Sequence, residues 1–249
     1  MKSIVCIQRV PDTETRIKIA DDRTSIDPSG VKYVVNPYDE FAVEAALQHK
    51  EGAGSGEVTV MTVGPAAAGE QLRSALAMGA DNAVLLKGDP TQDGLATARA
   101  LAAELKEREA DMILFGVKAV DDDQQQVGPM VAEMLGLPCV TVVGEFTVED
   151  GRVVCRREVE GGTEVVEAPL PAVLTITKGK YEPRYASLKG IMAAKRKPLE
   201  EKDAQLGESR VKVQELSYPP ERPEGRIVGE GVDAVADLVR LLREEAKAL

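Results

Sequence analysis

Three aspartates and three glutamines stand in a row, Asp121-Asp122-Asp123-Gln124-Gln125-Gln126, between the apolar run 112–115 and a helical pattern that begins at Val127-Gly128. Carboxamides and backbone N–H groups at a helix N-terminus suit a phosphate or a ribose, and an aspartate accepts hydrogen bonds from ribose hydroxyls. The plain structural alternative is an acidic loop that caps a helix, and the residues alone leave both open. Mg²⁺ is a weaker third reading, because neighbouring loop carboxylates seldom converge on one ion and glutamines are a poor hard-cation set. No metal site is expected.

Elsewhere the chain offers little chemistry. Gly64-Pro65 follows an apolar run but lacks both G-x-G-x-x-G and the Lys-Ser/Thr of a phosphate loop, and 9–15 is not glycine-rich. The single histidine, His49, lies beside Lys50 on a helical pattern and reads as a solvated surface residue, so no nucleophile and base pair is visible. Cys6, Cys139 and Cys155 are odd in number and far apart, which argues against disulfides and zinc. Catalysis by this chain alone is not expected.

The elements that must position the 116–128 segment follow an alternating rhythm. Short apolar runs at 4–10, 58–63, 83–86, 112–115 and 140–143 alternate with helical patterns at 38–50, 66–78, 94–107 and 127–135. Continuous apolar strands between helices predict a parallel sheet covered on both faces, with the loops after the strands gathered along one ligand-binding edge. Asn36-Pro37 is a helix start, with Asn as N-cap and Pro at the first helical position. After Gly144 the period becomes two: Val153, Cys155 and Arg157 face one way and Arg152, Val154 and Arg156 the other, with Gly161-Gly162 as the turn of a β-hairpin. A strand at 172–177 precedes a polar loop, 181–197, in which nothing reads as a core element. Residues 198–229, rich in Pro, Glu and Gly, read as an extended arm ending in a helix with Val232, Val235, Leu238, Val239 and Leu242 on one stripe. The expected division is an α/β nucleotide-binding domain over 1–197 and a partner-wrapping arm and helix over 198–249.

With 249 residues, 43% hydrophobic and 29% charged, the composition is that of a soluble globular protein, and no stretch approaches the ~20 apolar residues of a membrane span. The start runs straight into Ile4-Val5-Cys6-Ile7 without a small-residue cleavage site, so a cytoplasmic location is expected. A net charge of −11 argues against a nucleic-acid surface. Aromatics are only 3% and Trp is absent, so a flavin would need a second protein surface.

Four segments carry a resemblance over nearly the whole chain: Val5-Cys6-Ile7-Gln8-Arg9-Val10 with Asn36-Pro37-Tyr38-Asp39; Ala75-Leu76-Ala77-Met78-Gly79-Ala80-Asp81; 119–128; and Glu182-Pro183-Arg184-Tyr185-Ala186-Ser187-Leu188. Together they resemble the beta (small) subunit of electron transfer flavoproteins. The resemblance implies an adenine nucleotide alpha hydrolase-like, Rossmann-like α/β fold and a heterodimer with an alpha subunit that holds most of the FAD. It implies AMP in a site of this chain's own, and an electron carrier between acyl-CoA or other dehydrogenases and a quinone oxidoreductase acceptor, as in fatty acid oxidation.

Carried over by position, the AMP site comprises Cys6, Asn36, Val63, Ala119, Asp122, Gln125, Gln126, Val127 and Gly128, with Tyr38 placed near the flavin held by the alpha subunit. Gln125 stands where many AMP-binding members have Asn, and Val127-Gly128-Pro129 where they have Thr-Gly-Gln. That wording resembles electron-bifurcating members, which hold a second FAD in this site and oxidise NADH. Asp122 and Gln125 add bulk and charge beside a diphosphate and favour AMP. Leu188 falls where the family has a leucine that anchors in a partner dehydrogenase, followed by Ile191, Met192 and the basic group Lys195-Arg196-Lys197. Glu158 falls where relatives have a glutamate that meets the alpha subunit. A stand-alone adenine-nucleotide sensor is the rival of another class; the hairpin and arm argue against it.

Overall fold

The computed structural model describes residues 1–89, 93–221 and 224–249. In chain order the first half holds β1 (Lys2–Cys6), β2 (Arg9–Pro11), β3 (Tyr33–Val35), α1 (Pro37–Gly52), β4 (Glu57–Gly64), α2 (Gly69–Met78), β5 (Asn82–Lys87) and α3 (Gly94–Leu105). The second half continues with β6 (Met112–Gly116), α4 (Val127–Leu135), β7 (Cys139–Val143), β8 (Glu145–Glu149), β9 (Arg152–Val159), β10 (Gly162–Pro169) and β11 (Ala172–Ile176). It ends with α5 (Leu188–Ala194), β12 (Leu199–Asp203) and α6 (Val235–Glu244).

Seven strands form one sheet in the order β12-β5-β4-β1-β6-β11-β7, and every pairing in it is parallel. Alternate side chains of the inner strands enter two separate cores, as the pleat requires. Val5, Val58, Val60, Leu114 and Leu174 join α1 and α2 on one face. Ile4, Cys6, Met61, Ile113 and Val173 join α3 and α4 on the other. Burial on both faces explains why these strands read as unbroken apolar runs. The chain builds outward from β1 to β4 and β5, then returns to place β6 on the other side of β1. Loops therefore diverge at the carboxyl ends of β1 and β6, and a crevice opens between them.

Several expectations shift in detail. The apolar run 4–10 breaks into β1 and β2, because β2 leaves the sheet to pair antiparallel with β3. The hairpin is present as β9 and β10, with Val153 and Cys155 buried and Arg152 and Arg156 exposed, but β8 adds a third strand. The 181–197 segment, read as lacking core elements, contains α5 and two buried residues, Tyr181 and Ala194. The Tyr181 hydroxyl accepts the Phe146 N–H at 3.1 Å, so the ring joins the core while its polar tip is satisfied. His49 is half-buried and its ring lies 5.8 Å from that of Phe146, so it is not the solvated residue expected.

The segment read as an arm from 198 begins instead as β12, an edge strand parallel to β5. Its run of charged residues, Glu200, Glu201 and Lys202, suits an edge that must not pair further. By compactness the chain divides into Met1–Gln214 and Glu215–Leu249. The second unit carries α6, none of whose residues is buried, and Val232, Val235, Leu238 and Val239 are exposed. Residues 222 and 223 of the expected arm lie outside the described residues.

Candidate functional site: a cleft at the strand ends and an exposed helix face

A cavity of about 310 Å³ opens at the carboxyl ends of β1, β4 and β6. From the strand ends and α1 it is lined by Cys6, Val63 and Asn36, and from the loop after β6 by Ala119, Asp122 and Gln125. Gln126, Val127 and Gly128 line it from the start of α4. Tyr38 is not among the lining residues; its ring packs toward Phe41 at 6.2 Å and receives the Lys118 ammonium at 5.7 Å. The nine other cofactor-site residues named from sequence thus converge on one crevice.

Asn36 holds this crevice in an unexpected way. It is the N-cap residue of α1 and is followed by Pro37, yet its side chain makes no cap bond to its own helix. Its Nδ2 donates to the Lys118 carbonyl at 2.8 Å and its Oδ1 accepts from the Val120 N–H at 3.2 Å. One buried carboxamide therefore ties α1 to the loop that carries Asp121 and Asp122. Asp39, one turn on, accepts the Gln8 N–H at 2.6 Å and the Gly116 N–H at 2.9 Å, joining the ends of β1 and β6. Burial pushes its carboxyl up to about 7 against those bonds, with Asp121 adding like-charge repulsion. Gln8 also reaches Asp121 through Nε2 at 3.1 Å. Burial and Asp122 raise the Asp121 carboxyl in turn. The Cys6 thiol is buried beneath, and burial pushes its pKa far up, so it is an inert neutral group.

Two glycines permit the close packing. A Cβ on Gly116 would collide with the Asp39 carboxylate and backbone, and one on Gly128 would stand 2.8 Å from a Thr175 methyl. Gly128 is thus required by the contact of α4 with the sheet. The loop between is strained: Asp123 and Gln125 have φ of +55° and +53°. Such left-handed conformations cost ~1–2 kcal/mol in a residue with a side chain and gather at ligand sites. Asn tolerates this region better than Gln, so the departure at Gln125 falls on a strained position.

The helix N-termini at the cleft differ. At α3, the Asp93 side chain accepts the N–H groups of Leu95 and Ala96, and also the Ser209 hydroxyl and the Arg210 N–H. That positive end is already met by a carboxylate. At α4, Gln126 makes no cap bond, and its Nε2 turns to the Gln124 carboxamide. The start of α4 thus lines the cavity without a side-chain cap, and its first N–H groups suit an anion.

A second region sits on α5. Ser187 caps this helix by accepting the Gly190 N–H at 3.0 Å. Arg184 anchors the preceding segment on α1 through Glu44, at 2.8 Å from Nε to Oε2, and through Glu51. Lys197 donates to the Leu76 carbonyl at the end of α2, so this member of the expected basic docking group is turned inward. On α5 itself Leu188 is 84% exposed and Met192 is also open, as is Tyr185 before the helix, so Leu188 is no core residue. Glu158 is an exposed carboxylate on β9. Among the described residues no group of acidic, His or Cys side chains could hold a metal, and no helix is long and apolar enough to cross a membrane.

The site residues that sequence reasoning passed over are Gln8, Arg9, Asp39 and Asp121. Gln8, Arg9 and Asp39 stand inside the first pair of motifs, next to residues that were named, and Asp121 opens the acidic triplet.

An all-parallel sheet with a ligand-sized crevice at its topological switch point defines a Rossmann-like α/β protein. The model of the electron transfer flavoprotein domain matches residues 24–206. Electron transfer flavoprotein subunit beta of Syntrophomonas wolfei is 43% identical over 90% of this chain and 88% of its own. The subunit beta of Bradyrhizobium diazoefficiens is 40% identical over the full length of both, and that of Homo sapiens 37% over 98% and 97%. The chain belongs to the electron transfer flavoprotein family, among its beta subunits.

Proposed function

We propose that the chain works as the beta half of a heterodimeric electron carrier, binding AMP in the cleft and docking dehydrogenases through Leu188, while an alpha subunit holds most of the FAD. The observation that carries the AMP reading is the small cavity, about 310 Å³, closed by Asn36 and the strained 123–125 loop beside the open N-terminus of α4. Ligand sites span ~300–1,000 Å³, and this one suits a mononucleotide better than a dinucleotide. FAD, when bound, supplies the redox chemistry. This chain's residues bind and orient: Asn36 and Asp39 keep the crevice in shape, and Tyr38 lies outside it, consistent with a place beside the partner's flavin. Leu188 offers an apolar anchor on a firmly held helix, and the apolar stripe of α6 and the carboxylate of Glu158 are surfaces for the alpha subunit. Electrons would pass from acyl-CoA or other dehydrogenases to a quinone oxidoreductase.

A second FAD in the cleft, with NADH oxidation, is favoured only by Val127-Gly128-Pro129. Gly128 does not separate the two readings, because AMP-binding members share a glycine there and its packing on Thr175 accounts for it in either case. The test is to co-express the chain with its alpha subunit, denature the purified complex and quantify released nucleotides. One AMP and one FAD per heterodimer are expected. Two FAD and no AMP would make bifurcation the function, and failure to form any complex would favour a stand-alone nucleotide sensor.

A further inference from the structure

Two cations line the cleft, Arg9 and Lys118. Lys118 is engaged by Asp123 at 2.9 Å. The Arg9 side chain has no hydrogen bond or ion pair among the described residues. Its Nε is buried without a partner, and its guanidinium carbon lies 3.3 Å from the centroid of the Tyr33 ring. The β2–β3 pairing sets this geometry: Arg9 is opposite Val35, so Tyr33, two residues along β3, is its diagonal neighbour on the same face. A stacked guanidinium is fixed in direction, and its donor fork matches phosphate oxygens. A buried, orphaned donor on an arginine calls for a missing acceptor. The surrounding lining is acidic, with Asp39, Asp121 and Asp122, so an anion without a dedicated cation would be repelled there.

We infer that Arg9, held by Tyr33, is a phosphate ligand of the cleft and selects a phosphorylated nucleotide over the bare nucleoside. The inference rests on the reading of the cleft as a nucleotide site and names the group that recognises the ligand's charged end. Asp121 and Asp122, on the loop after β6, are left to the ribose hydroxyls.

The experiment is titration calorimetry on the nucleotide-stripped heterodimer with AMP and with adenosine, for wild type, Arg9→Gln and Arg9→Lys. Charge-assisted hydrogen bonds set the expectation that Arg9→Gln weakens AMP by about tenfold or more while adenosine changes less than about twofold. Arg9→Lys, which keeps the charge but not the fork, should fall between and guards against a Gln variant that does not assemble. Raising salt should weaken AMP less in Arg9→Gln than in wild type. Equal weakening of AMP and adenosine, unchanged AMP affinity, or loss of FAD with AMP retained would each overturn the assignment while leaving the cleft a nucleotide site. Wild-type protein that binds neither probe would overturn the reading of the cleft, and the role of Arg9 with it.

Discussion

The cleft and the α5 face depart from the ordinary inside-out rule in opposite directions. In the cleft, polar groups are buried: Asn36 is 1% and Asp39 5% exposed, each spent on backbone groups of a neighbouring loop. On α5, apolar groups are exposed while the polar ones, Ser187, Arg184 and Lys197, hold the helix from behind. A site for a small ligand must be preorganised by its own chain, because the ligand supplies few contacts. A docking face needs only a rigid frame, because the partner supplies the burial. Substitutions in the cleft should therefore change stability, whereas substitutions on the exposed side of α5 should change transfer alone.

The largest effect should come from pH acting on Asp39. Its folded pKa is raised to about 7, so the stability it contributes is complete below the ordinary carboxylate range and is lost as pH rises through 7. The loss is bounded at about 4 kcal/mol. Urea unfolding between pH 5 and 8 should show stability falling more steeply in wild type than in Asp39→Asn; equal slopes would remove Asp39 from the account. Next, Gly128→Ala should destabilise by ~1–3 kcal/mol through collision with Thr175, read as a lower melting temperature. An unchanged melting temperature would mean that α4 can shift and that the cleft is not rigid.

On the α5 side, Leu188→Ala should leave the melting temperature and FAD content unchanged. It should cut reduction by a partner dehydrogenase about tenfold to a hundredfold, equivalent to the ~1.5–3 kcal/mol of one buried anchor. Loss of the fold would place Leu188 in the core and break the contrast. The smallest effect is expected for Ser187→Ala, which removes the cap of α5 at a cost of about 1 kcal/mol. Faster hydrogen exchange confined to 188–194 would be its signature; a global change would mean that α5 is part of the cooperative core.

Much of this was legible beforehand, for identifiable reasons. The strands of the parallel sheet and the start of α4 at Val127 follow from local apolar patterning, and the 116–128 segment was placed at the ligand edge by the topology rule alone. Local pattern could not place β12, since an edge strand of charged residues looks like a linker until β5 offers it a partner. Nor could it show α5, seven residues long and stabilised from behind by Arg184 and by its packing on α2, or that Lys197 turns inward.

The sequence by itself determined the alternation of strands and helices, the ligand edge and the family, because these depend on residue type, period and order along the chain. Only the tertiary structure decided that Asn36 braces a distant loop rather than its own helix, that Asp39 joins two strand ends, and that Arg9 faces the cleft from above Tyr33. Each of those roles depends on a partner brought near by the fold: Lys118 and Gly116 are more than seventy residues away, and Tyr33 meets Arg9 only once β2 and β3 pair.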